Sequence, residues 1–534
     1  MLVVGAGPVG LMLAGELARR NVDVSIIDRT AGTKSISKAL IQHVRTQEVM
    51  DAAGMINAVR SVALPLRRVE VHAYGRHIGA WRLDEVDSPH NSPVILGQDQ
   101  TERILEQRLR EFGVHVQWNC RARAVAQDAD RVRVCVEDEH GERELEACYV
   151  VGCEGSDSVV RAAAGLSFEG ERYTDEQFIQ ADCKIRWSYP AGASHLFLTH
   201  HGEGAGSGYL MVIEMPNDIV RVFVSLPDDD PPRHDDPSLD DVQDALRRLG
   251  APDAELFDPV WLARYRTSHR TANTFRAGRL FVAGDAGHVH VPIGGQGMNT
   301  GLQDAFNLGW KLAAVSTGRA SPELLDSYSD ERVPVAEKLI AGTDRAYRFV
   351  LHPGAVARAA ASRIGPVIIG SDRVQRAFRT VLEEIGINYR GGVLSTDNAS
   401  GGNVRAGDRV PDARLVDNQS RNTTTLFEVM RGVEWTLLMF TGDEQDPAGL
   451  AETAHVAADH HAETVTIARA WSPSASAATT TLIDAAGYAH ESFGVTRPIA
   501  YLVRPDWYVG YRGPLADAAA LRAYCRRVLP GPSL

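Results

Sequence analysis

The chain has 534 residues, 44% apolar and 23% charged, with a net charge of −13. That length exceeds one ordinary hydrophobic core and predicts two or three domains, and the composition is that of a globular protein. The acidic balance excludes a general nucleic-acid or anionic-membrane binder, whose polyanionic surface would repel it.

The first elements are the most informative. Leu2-Val3-Val4 reads as a buried strand running into Gly5-Ala6-Gly7-Pro8-Val9-Gly10, then a helix, then a second apolar strand, Val22 to Ile27, closed by Asp28 and Arg29. This is the strand–turn–helix–strand pattern of a dinucleotide site: Gly5 makes the tight turn, Gly7 admits a pyrophosphate, and Gly10 lets helix and strand approach. The helix start beginning at Pro8 and Val9 favours the diphosphate charge, and Asp28, about 20 residues on, is placed to accept ribose hydroxyls. Lys34, Lys38, His43 and Arg45 follow, and the Arg45 guanidinium is expected to reach a cofactor phosphate.

Residues 61–97 alternate as strands, and Gln98-Asp99-Gln100-Thr101-Glu102 opens a helix. The apolar strand Cys148 to Gly152 leads into Cys153-Glu154-Gly155-Ser156-Asp157, which puts carboxylates at the carboxyl edge of a sheet, where ligands bind. Between Phe178 and about Val260 strand-like runs dominate, broken by turns such as Asp228 to Pro232, and predict a separate antiparallel sheet. His200-His201 point opposite ways on a strand and do not make a metal site. Leu280 to Ala283 is again a buried strand, followed by Gly284-Asp285 and a glycine-rich loop, Pro292 through Asn299, that opens a long helix. Amides exposed by such a loop can surround a flat electron-accepting ring. The polar stretch Leu394 to Asn403 is expected to be a linker to a last domain with strands near 435–440, 464–468, 481–484 and 499–503.

No run approaches the ~18 uninterrupted apolar residues of a membrane helix, and no signal-peptide pattern precedes the first motif. The six cysteines form no CxxC and no paired zinc spacing, which predicts a reduced, cytoplasmic setting, cysteines acting as small buried hydrophobes, and no metal site.

GAGPVG near residue 5, GCEGSDSVVR near 152 and GDAGHVHVPIGGQGMNTGLQDAFNLGWKLA near 284, with GDRVPDARL at 407 and YLVRPDWYVGYRG at 501, resemble the class A flavoprotein aromatic hydroxylases, in the larger form with a thioredoxin-like tail. The resemblance implies an α/β fold: a Rossmann-like FAD-binding domain in two parts (1–175 and, with a helical region, 266–393), an inserted antiparallel substrate sheet (176–265), and a thioredoxin-like domain (394–534). It implies FAD as cofactor and NAD(P)H and O2 as co-substrates. The activity implied is hydroxylation of a phenolic or polycyclic polyketide substrate through a hydroperoxide at flavin C4a.

By the same resemblance Gly5, Gly7, Pro8, Val9 and Gly10 hold the diphosphate, and Asp28 with Arg29 the adenosine end. Arg45 and Gln98 lie along the diphosphate and ribityl chain. Asp157, Gly284 and Asp285 belong to the second and third fingerprints, Asp285 binding ribityl or diphosphate-side hydroxyls. Pro292, Gly295, Gly297, Met298 and Asn299 lie against the isoalloxazine, where loop amides stabilise anionic reduced flavin. The sequence departs from the pattern at Glu154, where the family has Asp, and at Lys38, where many relatives have arginine; the tail lacks a CxxC dithiol.

Baeyer–Villiger insertion, epoxidation and a non-oxygenating FAD protein are the alternative readings. NADH against NADPH, a homodimer, and the substrate-activating base stay open, with His43, Tyr209, Arg264 and His269 as candidate bases.

Overall fold

The computed structural model describes the chain apart from residues 34–38, 173–177, 190–191, 201–206, 226–235, 266–267, 352–362, 443–446, 471–479 and 530–534. Lys34, Lys38, His201 and the Asp228–Pro232 turn therefore lie outside the described residues. Among the described residues no helix is long and apolar enough to cross a membrane.

Short apolar runs form the centre. Leu2–Val4, Ser25–Ile27, Val150–Gly152 and Leu280–Val282 are strands of three residues each, almost wholly buried, as strands covered on both faces must be. They lie in a six-stranded sheet ordered 276–277, 280–282, 150–152, 2–4, 25–27, 116–117, parallel throughout except at the 276–277 edge. Val4 pairs with Gly152 and Ile27, and Gly152 with Val282, so segments far apart in sequence end at one level. Helix Pro8–Ala18 starts on a proline, where no backbone N–H is needed, and packs along helix Gly297–Ser316.

A seven-stranded sheet stands over one side of this core, ordered 255–265, 178–186, 220–225, 207–214, 194–200, 68–73, 76–82. The expected substrate domain of 176–265 is thus too narrow: the hairpin Arg68–Ala73 and Arg76–Arg82 completes the sheet, with Arg68–Ala73 parallel to Ser194–His200. Along the first of these strands Val69, Val71 and Ala73 alternate with polar residues and line the cavity. Strand Ser207–Glu214 shows how the sheet serves two sides. Leu210 and Val212 pack with helix Leu239–Leu249, while Tyr209, Met211 and Ile213 face a cavity beneath, as the two-residue repeat of a strand requires. That helix, which the strand pattern did not announce, is bounded by a Ser238–Asp241 capping box and by Gly250 at φ 112°.

The last domain is a mixed eight-stranded sheet. Thr436–Phe440, helix Pro447–Asp459 and Glu463–Ala468 form a parallel β–α–β unit; the antiparallel pair Ile499–Val503 and Val509–Pro514 and helix Ala518–Val528 follow, in a thioredoxin-like arrangement. The expected linker is part of this domain. Thr396–Asp397 pairs with Tyr511–Arg512, Leu394 is buried in the domain core, and buried Arg512 donates to the carbonyls of Val404 at 2.8 Å and Gly401 at 2.6 Å. Gly401 and Gly402, at φ 71° and 76°, bend the chain beside Arg512.

Where this domain meets the flavin domain the contact is charged and buried. Arg504 Nη1 and Nη2 donate to Glu331 at 2.5 and 2.9 Å, and Lys311 Nζ donates to Glu331 at 2.7 Å, all fully buried. Burial opposes the Glu331 charge, but Arg504 and Lys311 more than offset it and hold its pKa at about 2, below the ordinary 4.5. A depressed carboxylate stabilises the fold fully above its unfolded pKa and loses that contribution as pH falls toward the folded value. Glu331→Gln is therefore expected to lower Tm at neutral pH and to flatten the acid limb of Tm against pH between about 4.5 and 2; an unaltered acid limb would show that this carboxylate is not linked to folding.

Candidate active site

At the carboxyl edge of the parallel sheet the first glycine turn is tightly held. Gly5 N donates to Ile27 O at 2.8 Å, and Ala6 N to Asp28 Oδ2 at 2.7 Å. Asp28 Oδ1 accepts from the Thr30 amide and hydroxyl at 2.8 and 2.7 Å, which fixes the carboxylate while it lines the cavity; Oδ2, with one bond made, can accept a further one. The glycines divide their work. A Cβ on Gly10 would lie 1.9 Å from the Gly5 carbonyl oxygen, whereas a Cβ on Gly7 would meet nothing within 4 Å. Gly10 is needed for packing, and Gly7 leaves open a space that a diphosphate fits.

Gly5, Gly7, Pro8, Val9, Asp28 and Arg29 all line one cavity of about 1480 Å³. Gln98, Asp157, Asp285, Pro292, Gly295, Gly297 and Met298 line it too. Gln98 is held by its Nε2 donating to Glu102 at 2.9 Å. Gly10 and Gly284 lie behind the lining; a Cβ on Gly284 would come 2.8 Å from Val9 Cγ2.

Two expected cofactor residues are placed elsewhere. Arg45, expected along the diphosphate, is fully buried away from the lining: Nη1 donates to Glu48 at 3.0 Å, Nη2 to the Asp506 carbonyl at 2.8 Å, and the guanidinium lies 4.9 Å from the centre of the Tyr508 ring. The last domain claims it. Asn299, expected against the isoalloxazine, is also fully buried. Its Nδ2 donates to Ile41 O and Gly295 O at 2.9 and 2.7 Å and its Oδ1 accepts from His43 N at 2.9 Å. It buckles the 292–298 loop to the strand opposite, from behind.

Other residues shape the edge: Glu154, Arg161, His288 and Asp304 within the second and third motifs, and Arg332 outside them. Asp304 Oδ2 accepts from Gly284 N at 3.1 Å and lies 2.6 Å from His288 Nε2, while Oδ1 accepts from Arg332 Nε at 2.6 Å. Burial opposes the Asp304 charge, yet Arg332 and His288 keep its pKa below the ordinary range. Arg161 joins the second motif to the third: Nη2 donates to Ser156 O at 2.6 Å and Nη1 to Ala286 O at 2.9 Å, with its guanidinium 3.9 Å from the centre of the Phe168 ring. Glu154 closes its own turn. Oε1 accepts from Val160 N at 3.0 Å, Oε2 is buried without a partner, and burial raises the carboxyl pKa. Asp304 lies within the third motif, whereas the only signal for Arg332 is a charge on a buried helix face.

Away from the nucleotide end the same cavity becomes an apolar chamber. Leu196, Leu198, Tyr209, Met211, Ile213 and Phe223 of the seven-stranded sheet form one wall; Ile368 of a helix over 363–369, with Phe378 and Leu382, faces them. One polar cluster interrupts it. Arg221 is gripped by Asp182 through two bonds of 2.7 Å; the Gln180 amide, its oxygen turned to the guanidinium, accepts from Arg221 Nη1 at 3.2 Å and Nε at 3.0 Å. The Tyr265 hydroxyl is 3.3 Å from the Gln180 amide end, and burial raises the Tyr265 pKa, keeping it a donor.

Of the candidate bases, His43 and Tyr209 line the cavity. The His43 ring nitrogens are engaged by Gly294 O at 2.7 Å and Glu383 at 3.3 Å; burial opposes its charge, but Glu383 carries the pKa above the ordinary value. Burial pushes the Tyr209 phenol well up. Arg264 lies outside the lining, and His269 lines a separate small cleft with Gly170 and Glu337.

The two glycines give a paired test. Gly7→Ala is expected to leave the Tm of the ligand-free protein unchanged and to weaken FAD binding by at least about tenfold, the equivalent of 1.4 kcal/mol. Gly10→Ala is expected to lower Tm as well, since backbone must move. Equal Tm losses for both variants would contradict this division.

Comparison with known proteins agrees with the geometry. Residues 1–343 match the FAD binding domain family and residues 403–532 the aromatic-ring hydroxylase C-terminal family. A flavin-dependent monooxygenase of Mycobacteroides abscessus is 35% identical, covering 82% of this chain and 88% of the relative. The 6-methylpretetramide 4-monooxygenase of Streptomyces rimosus is 31% identical, covering 98% of this chain and 92% of the relative. The solved anhydrotetracycline hydroxylase OxyS of Streptomyces rimosus superposes with a TM-score of 0.78 at 28% identity, over 100% of this chain and 99% of that one. With the FAD-type cradle, the roofed chamber and both family matches in place, the chain belongs to the FAD-dependent, NAD(P)H-using aromatic-ring hydroxylases, the class A flavoprotein monooxygenases.

Proposed function

We propose that this enzyme hydroxylates a polycyclic phenolic substrate of the polyketide type, using NAD(P)H and O2. The observation that carries the reading is the cavity: at about 1480 Å³ it exceeds the roughly 300–1,000 Å³ of a single ligand site, and it joins a diphosphate cradle to an apolar chamber. That supports two ligands end to end, a flavin and a multi-ring aromatic body. The relatives that act on tetracycline precursors support the same substrate class.

When bound, FAD supplies electron acceptance from the nicotinamide and the activation of oxygen. The chain supplies the rest. The turn at Gly5 and Gly7 holds the diphosphate, Asp28 orients the adenosine ribose, and Asp285 meets the hydroxyls of the chain between diphosphate and ring. Backbone amides of residues 293–298 would give the ring's electron-rich edge hydrogen-bond donors. The sheet wall of Leu196, Leu198, Met211 and Phe223 excludes water. Arg221, Gln180 and Tyr265 hydrogen-bond a phenolic or keto oxygen, and so choose which carbon of the substrate faces the flavin.

Purified enzyme with FAD and NAD(P)H is expected to convert a tetracyclic phenol to a product with one added oxygen, faster than a single-ring phenol, and NMR should show a new aromatic carbon–hydroxyl bond. A ring-expanded lactone or an epoxide would overturn hydroxylation, and NAD(P)H oxidation without product would overturn oxygenation. Tyr265→Phe keeps the ring and removes one hydrogen bond, so KM for the preferred substrate should rise roughly three- to tenfold with FAD content unchanged; an unaltered KM would remove Tyr265 from substrate recognition.

A further inference from the structure

The motif Arg504-Pro505-Asp506-Trp507 of the last domain does not line the large cavity, and the domain has no dithiol to give it redox work. Its side chains nevertheless enter the flavin domain. The turn is held in shape by Trp507, a bulky residue at φ 64°, a left-handed conformation that persists only where surroundings impose it. Here they do: Trp507 N donates to Arg504 O at 2.9 Å, its indole N–H donates to Met430 O at 3.0 Å, and its ring lies 4.2 Å from Phe427. The turn therefore presents Arg504 and Asp506 together, with Arg504 Nε donating to Asp506 at 2.9 Å. Both reach helix Gly297–Ser316, whose first turn opens the glycine-rich loop. Asp506 accepts from Trp310 Nε1 at 3.1 Å and Asn307 Nδ2 at 3.3 Å.

Arg504 also grips Glu331 with both terminal nitrogens. The next residue on the Glu331 helix, Asp326–Leu351, is Arg332, which points about 100° away toward the flavin edge. It donates to Asp304 Oδ1, to Thr300 O at 3.1 Å and to the Tyr389 hydroxyl at 3.0 Å. Asp304 in turn holds the Gly284 amide and the His288 ring on either side of Asp285. Tyr389 closes the circuit, with Arg504 5.3 Å from the centre of its ring and its amide bonded to Gly407 O at 2.7 Å.

We propose that Arg504 and Asp506 are positioning residues for the flavin loop: the last domain sets the angle of helix Asp326–Leu351, and through Arg332 and Asp304 that angle sets where Asp285 meets the cofactor. Buried charged contacts suit this role, because a buried ion pair adds little net stability yet tolerates only one arrangement. The inference rests on the FAD reading. Wild-type protein that bound no FAD would overturn that reading, and the variants below separate the two.

The test uses the full chain, with FAD dissociation constants and visible circular dichroism of the bound flavin measured well below each variant's Tm. Arg504→Gln, Asp506→Asn and the milder Tyr389→Phe are expected to weaken FAD binding, the first by about tenfold, within the usual range for coupled sites, and to change the flavin dichroism; Arg504→Lys should restore part of both. Arg512→Gln is the control. Arg512 is equally buried but bonded to Val404 and Gly401 of its own domain, so its loss should lower Tm while leaving FAD affinity and dichroism as in wild type. If Arg504→Gln does not fold, Tyr389→Phe and Asp506→Asn carry the comparison. Wild-type FAD affinity and dichroism in the variants that fold, or an equal change in Arg512→Gln, would overturn the proposal.

Discussion

The strands Leu2–Val4, Val150–Gly152 and Leu280–Val282 end side by side, and the turns beyond them are packed backbone against backbone. Cys153 N donates to Val4 O at 2.7 Å and Ala283 N to Gly152 O at 3.0 Å. A Cβ on Gly5 would lie 2.6 Å from the Cys153 carbonyl oxygen. Interiors this dense transmit displacement rather than absorb it. Three segments that each carry part of the cofactor cradle are thus one rigid edge, and both the cavity and the sheet that roofs it are measured from there.

Around that edge the molecule uses buried charge for orientation. Asp304 faces Arg332 and His288, Glu331 faces Arg504 and Lys311, and Arg45 faces Glu48 and the Asp506 carbonyl. Further out, Arg409 donates to Glu48 at 2.8 Å and Arg431 to Asp51 at 2.7 Å, binding the last domain to helix Val44–Ala52. Such pairs contribute modestly to stability, since removing each ion from water is costly, but leaving one partner unpaired costs several kcal/mol, about 3–5. Their consequence is a single relative placement of the domains, which an enzyme needs if a ring and an aromatic substrate are to meet within bonding distance.

The substrate side is built by different physics. The seven-stranded sheet is apolar on both faces because one is covered by helix Leu239–Leu249 and the other by the cavity. In sequence, Tyr209-Leu210-Met211-Val212-Ile213 gives no hint of which residues face which side, since the usual contrast of apolar and polar positions is missing. The polar residues Gln180 and Arg221 mark the cavity face once the register is known. They pass for ordinary sheet residues before it.

Local sequence determined the strands, the glycine turns, Asp28 and the glycine-rich loop, because each is fixed by neighbours within about thirty residues: a turn needs a residue without Cβ, a buried parallel strand needs an apolar run, a helix start needs an exposed amide. The family pattern extended that to FAD and to the two-part flavin domain. What only the tertiary structure decided were the partners of long side chains and the edges of sheets. Arg45 lies off the cavity lining because Glu48, the carbonyl of residue 506 and the Tyr508 ring take its guanidinium. Asn299 became a buckle because Ile41 and His43 run opposite it. Residues 68–82 joined the substrate sheet because Val69, Val71, Ala73, Ile78 and Trp81 bury their apolar side chains along the cavity wall it forms. A guanidinium or an amide binds whatever acceptor folding brings within about 3 Å, and that distance is set by packing, which no spacing along the chain records.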